Sequence, residues 1–288
     1  MKLIPTLAIF VLLVLAVFLG YRLDTTPTKA TTKHTVATKP AAQKVVPEPP
    51  VVDPLANLVG DMNAAIATQP GLSASATLIN LDTGKEYNAG NYTQQYTAAS
   101  TSKLVAVFDY INQVELGKAT LTQTIQGQTA QDIIMRMIVY SDNDAWTKLN
   151  TYLTMRQEQA YVNGLGLSAV IQVDNMQFST PNMAKMLQML YEGKLMNSDH
   201  QAMIYNYMSH TTVTNLIQAV LPADATIYHK YGQIEGVLHD ASIVEYQGHQ
   251  FVLVVYTNNP GGTASQYNNQ VNLIHAVTTA AFNDVTTE

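Results

Sequence analysis

The sequence predicts an α+β fold, an α/β sandwich in which one antiparallel five-stranded sheet packs against a helical cluster. Strand-like runs stand at both ends of residues 54–288, and helical runs fill the middle. These roughly 235 residues are enough to build one core. The chain has no cysteine, so no disulfide relieves that core of its work.

The elements follow in order. Leu55, Leu58, Val59, Met62, Ala65 and Ile66 recur at helical spacing, which predicts a helix from Pro54 to Thr68. Gly71 ends it. Leu72 to Leu81 alternates as a strand, and Asp82-Thr83-Gly84 turns into a short second strand. Helices are expected over Ser100–Leu116, Ala130–Tyr140, Asp144–Leu153 and Pro181–Tyr191. Thr226–Gly232, Ala241–Tyr246 and Gln250–Thr257 read as three more strands, the last two joined at Gly248. Ser265 to Phe282 reads as a closing helix. Met135, Met137, Met183, Met186 and Met189 sit at core spacing, and Trp146, the sole tryptophan, reads as packing. The catalytic cleft is expected where sheet and helical cluster meet.

Ahead of this domain the composition changes twice. Residues 4–20 are apolar and uncharged, with Lys2 before them and Arg22 after. Seventeen residues is the short limit for a membrane span, and a cleaved signal peptide is the competing reading. No small-residue cleavage pattern follows in Tyr21-Arg22-Leu23-Asp24, so residues 1–21 are read as an uncleaved membrane anchor. Residues 22–53 are rich in Thr, Pro, Lys and Ala and show no apolar period, which predicts a disordered linker. Extended, it reaches roughly 100 Å. The domain over 54–288 is therefore expected outside the cytoplasm, on a single-pass protein of the cell membrane.

Net charge is −6, and residues 54–288 alone hold nine Lys and Arg against eighteen Asp and Glu. Such a surface argues against nucleic acid as a partner. The seven histidines show no ligand spacing, so neither a metal nor any other cofactor is expected. A monomer acting on a small substrate is the expected state.

The chemistry gathers at three short motifs. Ser100-Thr101-Ser102-Lys103 places a hydroxyl and an amine at i and i+3, on one helix face. A serine becomes a useful nucleophile only when an adjacent base takes its proton, and burial beside a second cation lowers a lysine into that role. Ser141-Asp142-Asn143 offers a hydroxyl to relay the proton and an amide, Asn143, to hold a substrate amide. Lys230-Tyr231-Gly232 offers positive charge for a substrate carboxylate and the local field, with Tyr231 and Gly232 completing the substrate strand. The backbone N–H groups of Ser100 and Gln233 are the expected oxyanion hole. S-x-x-K alone is a common chance pattern and Ser-Asp-Asn alone reads as a helix cap; their order together carries the inference.

With these motifs in place, the chain resembles the class A β-lactamase branch of the penicillin-recognising serine hydrolases, whose motifs are S-x-x-K, S-D-N and K-T-G. The likeness extends through Ala98–Leu104, Met137–Ala145, Ser179–Gly193 and His229–Ala241, and covers about residues 54 to 285. It implies a β-lactamase/transpeptidase-like fold and acyl-enzyme chemistry on β-lactams or on D-alanyl, peptidoglycan-like amides. Three departures stand out. Tyr231 replaces the family's threonine. The stretch from Lys103 to Ser141 is short. The stretch before Ser179 is short as well, and Ala169–Phe178 contains no glutamate where the family places its deacylating base. Slow deacylation is the expectation, and Asp174 is the nearest carboxylate to the missing one. A wall-binding or penicillin-sensing module without turnover is the alternative, and a serine glutaminase, which shares S-x-x-K, is a further one. A catalytic imidazole from His229 or His239 is the least favoured role.

The anchor has a direct check. Protein extracted from the membrane fraction is expected to retain residues 4–20; a soluble product beginning between residues 21 and 30 would replace the anchor with a cleaved leader.

Overall fold

The structure, a computed structural model, describes residues 55–173, 175–259, 262 and 264–287. The anchor and linker assigned to residues 1–21 and 22–53, and Asp174, lie outside the described residues. No described helix is long and apolar enough to cross a membrane.

Helix α1 (Leu58–Ala67) leads into β1 (Ser73–Asn80), β2 (Glu86–Gly90) and the short β3 (Tyr96–Thr97). A 3-10 turn over Ala99–Ser102 opens α2 (Lys103–Glu115). A small ribbon of β4 (Thr124–Ile125) and β5 (Gln128–Thr129) precedes α3 (Ala130–Val139), α4 (Asn143–Leu153) and α5 (Met155–Gly164). Then come β6 (Gln177–Phe178), α6 (Thr180–Tyr191) and α7 (Ser198–Met208). Three long strands, β7 (Thr226–Ile234), β8 (Val237–Tyr246) and β9 (His249–Asn258), precede the closing helix α8 (Ala264–Thr286). The main sheet has five strands in the order β2-β1-β9-β8-β7, each pair antiparallel. This is the expected sandwich.

Two cores lie on its two faces. On β9, Phe251, Leu253 and Val255 join the core under α1 and α8, while Val252, Val254 and Tyr256 join the core under the helical cluster. Period-two alternation with both faces apolar is what a central strand covered by helices on each side requires. Helix α2 is the axis of the cluster. All nine residues from Lys103 to Ile111 are buried, the signature of a helix surrounded by protein. Each fully buried aliphatic side chain there contributes about 1.5–3 kcal/mol, so the element that carries Lys103 is held more firmly than any local propensity could hold it.

The structure corrects several boundaries. Ser100 lies in the 3-10 turn, and the α-helix starts only at Lys103. Strand β8 begins at Val237, because Gly236 (φ +72°) reverses the chain two residues after β7 ends. Helices α5 and α7 have no counterpart in the sequence reading. α5 buries only Glu158 and Val162, and α7 only Ile204 and Met208, which is too sparse an apolar pattern to mark either.

Glu158 is also a liability built into α5. Its side chain is fully buried. With the Asn150 amide oriented to satisfy both neighbours, one oxygen accepts from that amide at 2.9 Å and Trp146 Nε1 donates to the amide oxygen at 2.8 Å. Glu158 Oε2 and the nearby Tyr161 hydroxyl lack a partner among the described residues. Burial first, and the Asp109 carboxyl second, raise Glu158 to about 8; burial raises Asp109 too.

The folded chain therefore keeps a proton on Glu158 that the unfolded chain releases near 4.5. The stability this group contributes is complete below about 4.5 and is lost as pH rises through about 8. Glu158→Gln should flatten the fall in melting temperature from pH 5 to 8 by several degrees, at about 2–4 °C per kcal/mol. An identical slope in mutant and wild type would place the carboxylate in water.

Candidate active site

Ser100 sits on a strained and tightly pinned turn. Ala99 has φ +46°, a left-handed conformation rare outside glycine. On either side, Thr101 Oγ1 donates to Ala98 O at 2.6 Å and Ser102 Oγ donates to Ala99 O at 2.7 Å. Thr101 Oγ1 also meets the Tyr256 hydroxyl at 2.7 Å, tying the turn to β9. Gly232 of β7 lies against this backbone: a Cβ there would stand 2.9 Å from Ala98 O and 3.1 Å from Ser100 N. Only glycine lets the strand approach so closely, and that approach brings Gln233 beside Ser100, both lining the cleft.

Lys103 is the hub. Its Nζ lies 2.9 Å from Ser100 Oγ, 2.7 Å from Ser141 O, 3.3 Å from Ser141 Oγ and 2.7 Å from Asn143 Oδ1. Burial lowers it to about 8, against the opposing pull of the Asp142 carboxylate. The expected turn from Ser100 to Lys103 therefore brings amine and hydroxyl together, and the Ser141–Asn143 loop closes around the same nitrogen.

That loop is held by its own middle residue. Ser141 is left-handed at φ +56°. Asp142 caps α4 by accepting from Asp144 N at 2.8 Å and Ala145 N at 3.0 Å, and Arg136 Nε donates to its other oxygen at 2.9 Å. The Ala145 amide and the Arg136 guanidinium hold Asp142 below the usual carboxylate range. The carboxylate thus fixes Ser141 and Asn143 on either side of it.

Lys230 completes the group from β7. It is fully buried, donating to Ser141 Oγ at 2.9 Å and to Tyr231 O at 3.0 Å. Its Nζ lies 4.2 Å from the centre of the Tyr231 ring. Burial, and then the neighbouring Lys103 charge, push Lys230 well below its ordinary value; Asp240 opposes them. One hydroxyl, Ser141 Oγ, is therefore shared by two lysine nitrogens.

The cleft has two lobes that meet at Ser100, Asn143, Gln233 and Ile234. One, about 380 Å³, is bounded by Thr97, Lys103, Trp146, Thr147, Asn175 and Met176. The other, about 500 Å³, is bounded by Ser141, Tyr231, Glu235, Tyr267 and Gln270 among others. No described residue lining the first lobe is a carboxylate. Trp146 both packs on the core and lines this lobe, so the packing assignment was half of its role. Tyr267 and Gln270 were missed; their i, i+3 spacing on the closing helix was the available signal.

Neither histidine reaches the cleft. His229 is buried between Thr211 Oγ1 (2.6 Å) and Asp240 Oδ1 (3.0 Å). His239 Nε2 lies 2.9 Å from Thr97 O, and its Nδ1 lies 2.8 Å from Leu238 O and 3.1 Å from Thr257 N. Burial lowers it to about 4, and its neutral ring stacks on Tyr256 at 4.0 Å. Both are internal braces for the strands that bear the site. Among the described residues no cluster of three or more metal-ligating groups occurs.

A sequence model described as the beta-lactamase enzyme family matches residues 57–285. No curated protein sequence gives a match. Among solved structures the chain is similar to a mutant of PBP-A, solved as an acyl-enzyme complex with penicillin G. That pair is 23% identical over 81% of this chain and 97% of the other, with a TM-score of 0.73. A beta-lactamase from Chitinophaga pinensis is 18% identical over 79% and 98% of the two chains, with a TM-score of 0.72. A mutant of a class A beta-lactamase representing the last common ancestor of Gram-negative bacteria is 17% identical over 78% and 98%, with a TM-score of 0.70. At these identities the structural likeness establishes the fold.

With Lys103 lowered to about 8, Ser100 reactivity is expected to depend on pH. Only the neutral amine accepts a proton, so labelling by a serine-directed fluorophosphonate should rise with pH and level off above about 8. At pH 7 the rate should be about a tenth of the plateau. A flat profile from pH 6 to 9 would remove Lys103 as the base.

Proposed function

Because the chain belongs to the beta-lactamase enzyme family, we propose that it is a β-lactamase-like serine hydrolase that works through an acyl-enzyme at Ser100, on β-lactams or D-alanyl, peptidoglycan-like amides. The observation that carries this reading is the 2.9 Å contact between Lys103 Nζ and Ser100 Oγ inside a ring of Ser141, Asn143 and Lys230. Neutral Lys103 takes the Ser100 proton as Oγ attacks the carbonyl carbon. The resulting oxyanion is received by the Ser100 and Gln233 N–H groups. Asn143 holds the acyl-side amide. The carbon–nitrogen bond then breaks, and the proton passes from Lys103 through the Ser141 hydroxyl to the leaving nitrogen. Lys230, through its bond to Ser141 Oγ, keeps that hydroxyl oriented.

Deacylation needs water placed and deprotonated beside the acyl carbonyl. Among its described lining residues the first lobe offers Thr147, Asn175 and Met176 where a carboxylate would serve, and Lys103 is the one ionisable side chain of that described set. Lack of a positioned base costs about 10²–10⁴-fold, or roughly 3–5 kcal/mol of barrier. The proposed cycle is fast acylation and slow release. The same observation favours a second reading, a penicillin- or wall-binding module that acylates without useful turnover.

A chromogenic cephalosporin in stopped flow should give a burst of one equivalent per Ser100 and then a slow phase. Ser100→Ala should abolish the covalent adduct by intact mass, and Lys103→Ala should slow its formation by about 10²–10⁴-fold. An adduct that survives Ser100→Ala would refute the assignment. Steady hydrolysis with no burst would mean that another group activates water.

A further inference from the structure

One face of α4 runs from the cleft into the interior. Asn143, Trp146 and Asn150 stand at i, i+3 and i+7, so their side chains share that face. Asn143 meets Lys103 at the cleft end, Trp146 lines the first lobe, and Asn150 is buried. Helix α5 meets the buried end with Glu158. With the Asn150 amide oriented to satisfy both neighbours, Trp146 Nε1 donates to its oxygen at 2.8 Å, and its nitrogen donates to Glu158 at 2.9 Å. A hydrogen-bonded chain thus leads from a buried carboxyl to an aromatic wall of the cleft.

Packing alone does not call for this carboxyl. Glu158 is fully enclosed and feels the Asp109 carboxyl from α2. A leucine would fill a similar volume with no polar atom to satisfy, and apolar replacement of buried polar groups is often neutral or stabilising. What the carboxyl adds is direction. The Asn150 amide has a donor end and an acceptor end, and an acceptor at Glu158 turns the other end toward the indole. Without it the amide is free to rotate, and Trp146 Nε1 loses the partner that fixes its ring plane.

On the acyl-enzyme reading, which this inference rests on, the first lobe takes the acyl side of the substrate. Ser141, which serves the leaving nitrogen, lines the second. In the first lobe Trp146 stands with Met176 and Ile234, and a flat indole offers broad contact only while its plane is held. We propose that Glu158 is a positioning residue: through Asn150 it fixes the Trp146 indole, and so shapes the lobe that receives an apolar acyl-side group. Glu158 touches no substrate. Its effect reaches the reaction through orientation, and substrates with a large acyl side feel it most.

Trp146 is the only tryptophan of the full 288-residue chain, so its signals need no assignment. In the wild type its indole N–H, bonded to an internal oxygen, should exchange with solvent about a hundredfold more slowly than a free indole. Fast exchange overturns the inference without any variant. Formation of the Ser100 adduct is then timed by intact mass with benzylpenicillin and with 6-acetamidopenicillanic acid, which differ by one phenyl ring. Glu158→Leu should shift the Trp146 emission and lower the ratio of the two rates, benzylpenicillin over acetamido, by about tenfold. Asn150→Ala breaks the same chain without touching α5 and should do likewise. Glu158→Gln keeps an acceptor for Asn150 and should hold emission and ratio near wild type. A ratio unchanged in Glu158→Leu and Asn150→Ala overturns the inference and leaves the acyl-enzyme reading standing; so does a Glu158→Gln chain that behaves as Glu158→Leu. No adduct from the wild type with either penicillin refutes the acyl-enzyme reading and this inference together.

Discussion

Two lysines buried around one serine hydroxyl set the terms for the rest of the molecule. Lys103 and Lys230 both contact Ser141 Oγ, and both are almost fully enclosed. Neither would keep a full charge cheaply in such a place, and each makes the other's charge harder to hold. The chain resolves this by letting both fall below their ordinary values and by surrounding them with carbonyl and hydroxyl oxygens. On the proposed reading, a base near neutrality is the consequence. Activation of Ser100 would then be a property of burial, and burial is a property of the whole fold, since α2, β7 and the 141–143 loop each contribute one wall.

Geometry at this level demands stiff supports. Helix α2 is enclosed on all sides, β7 is locked to β8 in register from Thr226↔Glu245 to Ile234↔Val237, and Asp142 caps α4 while bridging to Arg136. The left-handed Ala99 and Ser141 sit where these supports converge. Non-glycine residues hold such conformations only when the surroundings over-determine them. Here the determinants are visible: Thr101 and Ser102 on one turn, Asp142 on the other.

The sequence made the candidate site legible because each part is a short motif on or beside a regular element. Ser100 and Lys103 are three residues apart at the entry to α2, and Lys230 to Gly232 lie on a strand the sequence marks over Thr226–Gly232. The five strands were readable for the same reason: β8 and β9 are long, apolar and separated by Gln247-Gly248, both at positive φ. What stayed hidden was whatever depends on tertiary partners. Helix α5 buries a glutamate, which no apolar period reveals. The cleft roles of Trp146, Tyr267 and Gln270 arise only when α4 and α8 are brought beside Ser100. The seclusion of Lys230 was equally invisible, because a lysine in a strand reads as a charge offered to a ligand until the neighbouring ring is placed over it.

In the proposed cycle, acylation and deacylation draw on different kinds of structure. The groups that would form the ester ride on the 3-10 turn, α2, the α3–α4 loop and β7. The segment between α5 and α6 is short and is fastened as a wall: Ala98 N donates to Met176 O at 2.8 Å, and Val170 and Gln177 exchange two backbone bonds at 3.0 and 2.8 Å. Among its described residues, Asn175 and Met176 line the cleft with neutral side chains. In the proposed cycle the fate of an acyl-enzyme therefore depends on this segment, which also buries Leu167, Ile171 and Phe178 in the core, whereas its formation depends on the surroundings of Ser100 and Lys103.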